Sequence, residues 1–328
     1  METSLSTLLN DFYSPVADEL ARVERRFDEE LVSELPMVDD LCGRVRLYRG
    51  KMLRPTLLLL TAKACGSIRD EHITLAAVLE IVHVATLVHD DVLDEADVRR
   101  KRATINAGDG NETAVLLGDY LISHAFHLCS GLNDQFASRL IGSTTNTVCE
   151  GELMQIHHRA DAGLSESLYL DIIRRKTAAL TGACCELGAR YAGASPGEAE
   201  AWRQFGLNVG VAFQIVDDVL DYTGTQQKVG KTLGRDLELG EPTLPTIHAM
   251  RHAAPAVRAE LALALGNGHT VSRERICGWL EETGSVEYAY GRAAEFITTA
   301  QTHLEGVRPS PARDALWAVT EFVLRRQH

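Results

Sequence analysis

The sequence has no CxxC pair, and its seven cysteines, at 42, 65, 129, 149, 184, 185 and 277, are an odd number that cannot pair completely within the chain. The thiols therefore read as buried side chains of a reducing compartment rather than as a disulfide frame or a zinc site. Basic charge is short as well. Thirty-three Lys and Arg against 46 Asp and Glu leave a net charge of −13, which argues against a general nucleic-acid binder. The opening stretch METSLSTLLNDF has no basic segment and no long apolar core, so no secretory signal is expected. The longest apolar segment, ITLAAVLEIVHVATLV, is interrupted by Glu80 and His83 and is expected to fall short of a membrane span. Together these absences point to the cytoplasm. Aromatic residues are only 6% of the chain and alternating β-branched runs are almost missing, so strand signals are scarce.

What remains is helical periodicity in a chain of 328 residues, 45% of them hydrophobic, enough for a large core. Apolar residues recur at three and four. The segment from Ile73 to Glu95 is apolar nearly all round, as is Asn111 to Leu132, so both are expected to be buried central helices, the second capped by Asn111. Further helices are expected over 136–157, 165–191 and 195–222. SPGE at Ser195 is a capping box with proline at the first helical position, and SPAR at Ser310 starts the last helix in the same way. Between Thr223 and Pro245 four glycines and two prolines break the pattern into a long loop, of the kind usually tied to function. The expectation is one all-α domain over residues 1–328, with ten or more helices.

One stretch is electrostatically costly. HDDVLDEADVRR, from His89 to Arg100, sets Asp90, Asp91, Asp94 and Glu95 side by side, and the pentapeptide DDVLD returns at Asp217–Asp221. On a helix, Asp90 and Asp94 share a face, as do Asp217 and Asp221, and like charges at that spacing repel. Both clusters end very apolar helices, where the negative end of the macrodipole adds to the repulsion. A solvated helix end is the plain reading of one such cluster. Two matching clusters point instead to a divalent-metal site, with oxygen ligands of the kind magnesium takes together with substrate phosphates.

HDDVLDEADVRR and FQIVDDVLDY resemble the two aspartate-rich motifs of the trans-isoprenyl diphosphate synthases, the polyprenyl synthetases. GKMLRP at 50–55, RRKTAAL at 174–180, and VGKTLGRDL with GEPTLP after the second aspartate motif resemble that family's remaining motifs, in its order and spacing. The resemblance implies a helical bundle around a central apolar cavity and a magnesium-dependent prenyltransferase that joins isopentenyl diphosphate to an allylic diphosphate such as farnesyl diphosphate. It assigns metal binding to Asp90, Asp91, Asp94, Asp217, Asp218 and Asp221, with three ions, two on the first motif and one on the second. It places isopentenyl diphosphate on Lys51, Arg54, His83 and Arg100. The allylic diphosphate falls to Arg99, Lys176 and Lys231, and Thr177 and Gln214 stand near the reacting carbons. Singly, these residues also read as a solvated helix start, a core histidine or surface lysines. A homodimer is implied too.

Two positions depart from the family pattern. Glu241 stands where a lysine is usual in G-K-x-T-L-P, which removes one expected cation near the diphosphate. Lys101 stands where a small residue is common after the two arginines. HHR at 157–159 reads as surface, because adjacent histidines on a helix point apart. Product length is expected to follow the residues one to two turns before Asp90, roughly 6–10 Å along the helix. These are Thr86 and Ala85. Neither is bulky, so the chain resembles the long-chain, octaprenyl-type members, with a product of about six to ten isoprene units. The floor is expected near Phe126 to Cys129. The competing readings are a short-chain farnesyl or geranylgeranyl diphosphate synthase and a partner subunit of a heteromeric synthase.

Overall fold

The computed structural model describes residues 12–224, 234–266 and 271–326, and within them the chain is helical almost throughout. The first helices are α1 (Ala17–Glu30), α2 (Pro36–Val45), α3 (Leu53–Cys65) and α4 (Asp70–Leu93). A hairpin of β1 (Val98–Arg99) and β2 (Arg102–Ala103) follows, with Val98 opposite Ala103 and Arg99 opposite Arg102. Then come α5 (Ile105–Asp109), α6 (Asn111–Ser130), α7 (Phe136–His157), α8 (Glu166–Ile173), a π-helical turn at Arg174–Ala178, α9 (Ala179–Tyr191) and α10 (Pro196–Thr223). The chain ends with α11 (Arg235–Glu238), α12 (Leu244–His252), α13 (Pro255–Gly266), α14 (Arg273–Glu282), α15 (Ser285–Glu305) and α16 (Pro311–Arg325).

The caps set several boundaries. The Ser195 backbone N–H donates to Glu198 at 2.8 Å and Ser195 Oγ accepts from the Glu198 N–H, the expected capping box. Ser310 caps α16 through the Arg313 N–H. Asn111 is not the cap of α6. Gly110, at φ 88°, takes that position, where a residue without Cβ is unstrained.

Two compact units divide the chain. The first comprises Met1–Thr145, Leu180–Gly206 and His303–Ala318. Its centre is α4, buried on every side from Leu75 through Val82 because its apolar residues occupy all faces. Contrary to the sequence expectation, α4 is long and apolar enough to cross a membrane on length and composition alone, but 72% of its most apolar window is buried inside the fold, as in a core helix. It packs against α6, α1 and α3. Helix α6 also differs from expectation. Ala114, Leu117, Leu121, Ala125 and Cys129 bury one face, while Val115, Leu116 and Tyr120 stay exposed on the other.

The second unit comprises Asn146–Ala179, Leu207–Thr302 and Val319–His328. Fully buried Tyr222, at the end of α10, packs with Leu237, Leu261, Ile276 and Leu280, which fixes the last turns of the second aspartate helix to α11, α13 and α14. All seven cysteines are free. Cys149 is exposed, against the expectation of burial.

Candidate active site

In the first unit, several of the side chains expected to be functional lie on or near the C-terminal half of α4. Asp90 and Asp94 lie half-buried at its end, one turn apart. Asp91 behaves differently. It is 1% exposed, and its Oδ1 accepts from Arg99 Nε at 2.8 Å. Burial raises its pKa, while the Arg99 charge and hydrogen bond, and one from Tyr48, pull it down. Asp91 therefore anchors Arg99 in this structure, a role the sequence did not announce.

Two turns before Asp90, half-buried His83 sits within electrostatic reach of Arg54, Arg100 and Arg99. Burial, then those cations, depress its pKa well below the ordinary value, so the ring is neutral at pH 7. Arg54 is half-buried, and its Nε is buried with no hydrogen-bond partner among the described residues. Lys51 is exposed just before it. The counter-charge is Glu80, one turn before His83 and 3% exposed. Its pKa is raised by burial and opposed by Arg54, Arg100 and Arg49. In the sequence Glu80 looked only like an interruption of an apolar run. A buried carboxylate within a helix that touches basic motifs was the available signal.

Backbone strain collects in the same place. Met52, Glu95, Arg100 and Lys101 all have positive φ, between 50° and 64°. Each follows or belongs to a motif residue, and each costs on the order of 1 kcal/mol for a residue bearing Cβ. Position 101 is a left-handed turn position that a residue without Cβ adopts freely, and nothing in the structure explains the lysine there.

In the second unit, a chain of side-chain hydrogen bonds links three predicted residues. Thr177 Oγ1 donates to Gln214 Oε1 at 2.7 Å, and Gln214 Nε2 donates to Asp218 Oδ1 at 2.6 Å. Tyr169 donates to Asp218 Oδ2 at 2.6 Å. Asp218 is buried, and burial together with its charge pushes the Tyr169 hydroxyl pKa far up, so the phenol stays a donor. Asp221 is fully buried and accepts from the Asp236 N–H, tying α10 to α11. Of the second motif, Asp217 presents the most accessible carboxylate. It pairs with Arg326 at 2.7 Å, and that guanidinium also lies 4.0 Å over the Phe213 ring. The sequence offered no signal for Arg326, which lies more than a hundred residues away.

Lys176 and Thr177 ride on the π turn. A π turn inserts a residue and re-aims the side chains it carries, and such turns are frequent at functional sites. The opposing helix α7 approaches it at Gly151, where a Cβ would stand 2.8 Å from Arg175 Cβ and overlap the Lys176 backbone. Lys176 pairs with Glu152 at 2.8 Å.

The two remaining expectations resolve differently. Lys231 lies outside the described residues. Glu241 is 8% exposed and accepts from Arg159 at 2.9 and 3.1 Å and from Gln155. Arg159, expected at the surface, is its internal counter-ion, and only His157 of the HHR run is exposed. Ala85 is fully buried, and half-buried Thr86 donates to the His83 carbonyl at 2.7 Å.

The sequence matches polyprenyl synthetase over residues 37–277. The chain belongs to the polyprenyl synthetase family. Among its relatives, the octaprenyl diphosphate synthase of Escherichia coli is 35% identical over 94% of this chain and 96% of its own. The all-trans-nonaprenyl-diphosphate synthase (geranyl-diphosphate specific) of Rhodobacter capsulatus is 37% identical over 96% and 97%. A polyprenyl synthase from Caulobacter crescentus, solved with calcium and isoprenyl diphosphate, shares the fold with a TM-score of 0.93, 31% identity and 98% coverage of both chains. The all-α family fold expected from the motifs is the observed one.

Proposed function

We propose that the chain is a trans-polyprenyl diphosphate synthase that condenses isopentenyl diphosphate with an allylic diphosphate such as farnesyl diphosphate. The observation that carries this reading is the arrangement on α4 and the hairpin. Arg54 and Arg100 lie within electrostatic reach of both buried Glu80 and His83, Arg99 lies within reach of His83, and Asp90 follows His83 by two turns, roughly 10 Å. Cations suited to one diphosphate and carboxylates suited to the metal ions of another thus lie on neighbouring turns.

Lys51, Arg54 and Arg100 hold the isopentenyl diphosphate, with neutral His83 as a hydrogen-bonding partner. Glu80 keeps the guanidiniums in place. Magnesium fits the donor set. Asp90, Asp94 and Asp217 are half-buried carboxylates, hard oxygen donors suited to an ion that keeps waters and binds largely through substrate phosphates. When bound, two ions on the first motif and one on the second supply Lewis-acid stabilisation of the leaving diphosphate. Asp91, Asp218 and Asp221 support the ligands from within.

Arg99, Lys176 and Lys231 offset charge on the departing allylic diphosphate. Thr177 donates its hydroxyl hydrogen bond to Gln214, which leaves its oxygen lone pairs available to the reacting carbons, where an allylic cation develops. Gln214 is locked by Thr177 and Asp218, so this dipole needs no reorganisation during reaction. The double bond of isopentenyl diphosphate attacks the cation, and a proton then leaves to the released diphosphate. Small Ala85 and Thr86 leave room for a product of about six to ten units, measured along a helix rising about 1.5 Å per residue. All 328 residues serve as one catalytic domain, the enzyme works in the cytoplasm, and the exposed apolar face of α6 joins two copies into a homodimer. Purified protein with magnesium, farnesyl diphosphate and labelled isopentenyl diphosphate tests the reading. Incorporation into an acid-labile prenyl product is expected, and its absence from a folded protein rejects it.

A further inference from the structure

We propose that the chain carries a second diphosphate site beside the β1–β2 hairpin, lined by none of Lys51, Arg54 and His83, which takes isopentenyl diphosphate and slows the reaction when filled. A cavity of about 370 Å³ lies there, lined by Arg44, Arg99, Arg100 and Arg102 together with Leu47 and Tyr48. Small-ligand pockets run from about 300 to 1,000 Å³, so this one suits a small molecule.

Three of the four arginines are held in place, and the fourth, Arg102, is exposed. Arg44 pairs with Asp109 at 2.5 Å and lies over Gly108, where a Cβ would stand 2.9 Å from its Nη2. Arg100 donates to the Tyr48 carbonyl and lies against Gly50, where a Cβ would overlap the guanidinium. Arg99 is held by Asp91. Each of these contacts occupies one nitrogen, and a guanidinium has five N–H groups in a planar fork, so donors remain for phosphate oxygens.

The hairpin register adds an independent observation. Arg99 and Arg102 are directly opposed across the two strands, and like charges in that position destabilise a hairpin. Both turn residues between them, Arg100 and Lys101, are in left-handed backbone at φ 50° and 64°. A strained turn that holds two opposed arginines together is explained if an anion lies against them. Asp91 and Asp109 offset two of the four charges, which leaves a positive pocket on a chain of net charge −13. The remaining wall, Leu47, Tyr48 and Ala103, is apolar and short, so it takes a five-carbon tail on the diphosphate head.

The inhibitory effect rests on the function proposed above, because Arg99 and Arg100 belong to both sites. A diphosphate that engages them in the outer cavity draws their free N–H groups away from the catalytic one.

The test is metal-free calorimetric titration of the full chain with isopentenyl diphosphate, paired with initial rates across a wide range of that substrate. Wild type is expected to bind two molecules per chain and to lose rate at high substrate. Arg44→Ala with Arg102→Ala is expected to bind one and to keep kcat and KM, and its rate no longer falls. Inorganic pyrophosphate should fill the same site at least about five-fold more weakly, because it lacks the apolar tail. Arg102→Glu alone, at an exposed position, replaces the double variant if loss of the Arg44–Asp109 pair unfolds the chain. One binding event in wild type, two in the variants, or pyrophosphate binding as tightly as isopentenyl diphosphate overturns the site. Two events without any prenyl product overturn the proposed activity and leave the site standing.

Discussion

Glu241 shows how a single residue can leave the family pattern without leaving a defect. A buried carboxylate is tolerated only when paired, and Arg159 supplies the pair at 2.9 Å while Gln155 adds a further donor. Restoring the family's lysine by Glu241→Lys therefore puts two cations side by side. The expected result is a loss of about 3 kcal/mol in denaturant titration, with most of it recovered when Arg159→Glu is added. At the reacting centre the expected effects are kinetic. Asp90→Asn and Asp217→Asn each remove an accessible carboxylate and should lower kcat by about 10²–10³-fold with little change in melting temperature. Asp91→Asn should also lower stability, because the carboxylate that anchors Arg99 at 2.8 Å is 1% exposed.

The helices are largely legible in the sequence, because apolar periodicity and capping residues are local signals. The starts at Ser195 and Ser310 and the extents of α7 and α10 follow from them. Three features are not. The π turn at Arg174–Ala178 depends on the approach of α7 at Gly151, a contact between segments more than twenty residues apart. The exposed face of α6 escaped because an apolar run does not say which of its sides is covered. The pairings of Asp217 with Arg326 and Glu241 with Arg159 join distant stretches that no spacing rule connects. Two substitutions test the elements themselves. Gly151→Ala forces α7 away from the π turn, so kcat should fall at least about ten-fold with substrate KM changed less, since Lys176 and Thr177 are misplaced by a fraction of an ångström. Ala85→Phe fills space on α4 one turn or so before Asp90 and should shorten the product to about three or four units by mass analysis, at a stability loss of about 1–3 kcal/mol. An unchanged product length contradicts the steric account.

At the scale of the whole molecule, pH acts on stability through buried and half-buried histidines. Burial holds His83, His72 and His303 below their ordinary pKa, so the folded chain keeps them neutral while the unfolded chain protonates them below about pH 6.5. The unfolded state then binds more protons, and the stability these residues contribute is present above about pH 6.5 and lost as pH falls toward their folded values. Melting temperature should drop between pH 7.5 and 5.5, and His83→Gln should flatten that slope. Assembly is a second property at this scale. Leu116 is 68% exposed and Tyr120 37% on one face of α6, and the proposed homodimer should become a monomer in sedimentation analysis when Leu116→Asp is combined with Tyr120→Asp. Mass analysis of the prenyl product tests the account most directly, using purified chain given farnesyl diphosphate and isopentenyl diphosphate, with and without magnesium. A metal-dependent product of about six to ten isoprene units is predicted from the small residues along α4. A product that stops at three or four units contradicts the long-chain reading, and no product with metal present contradicts the enzyme itself.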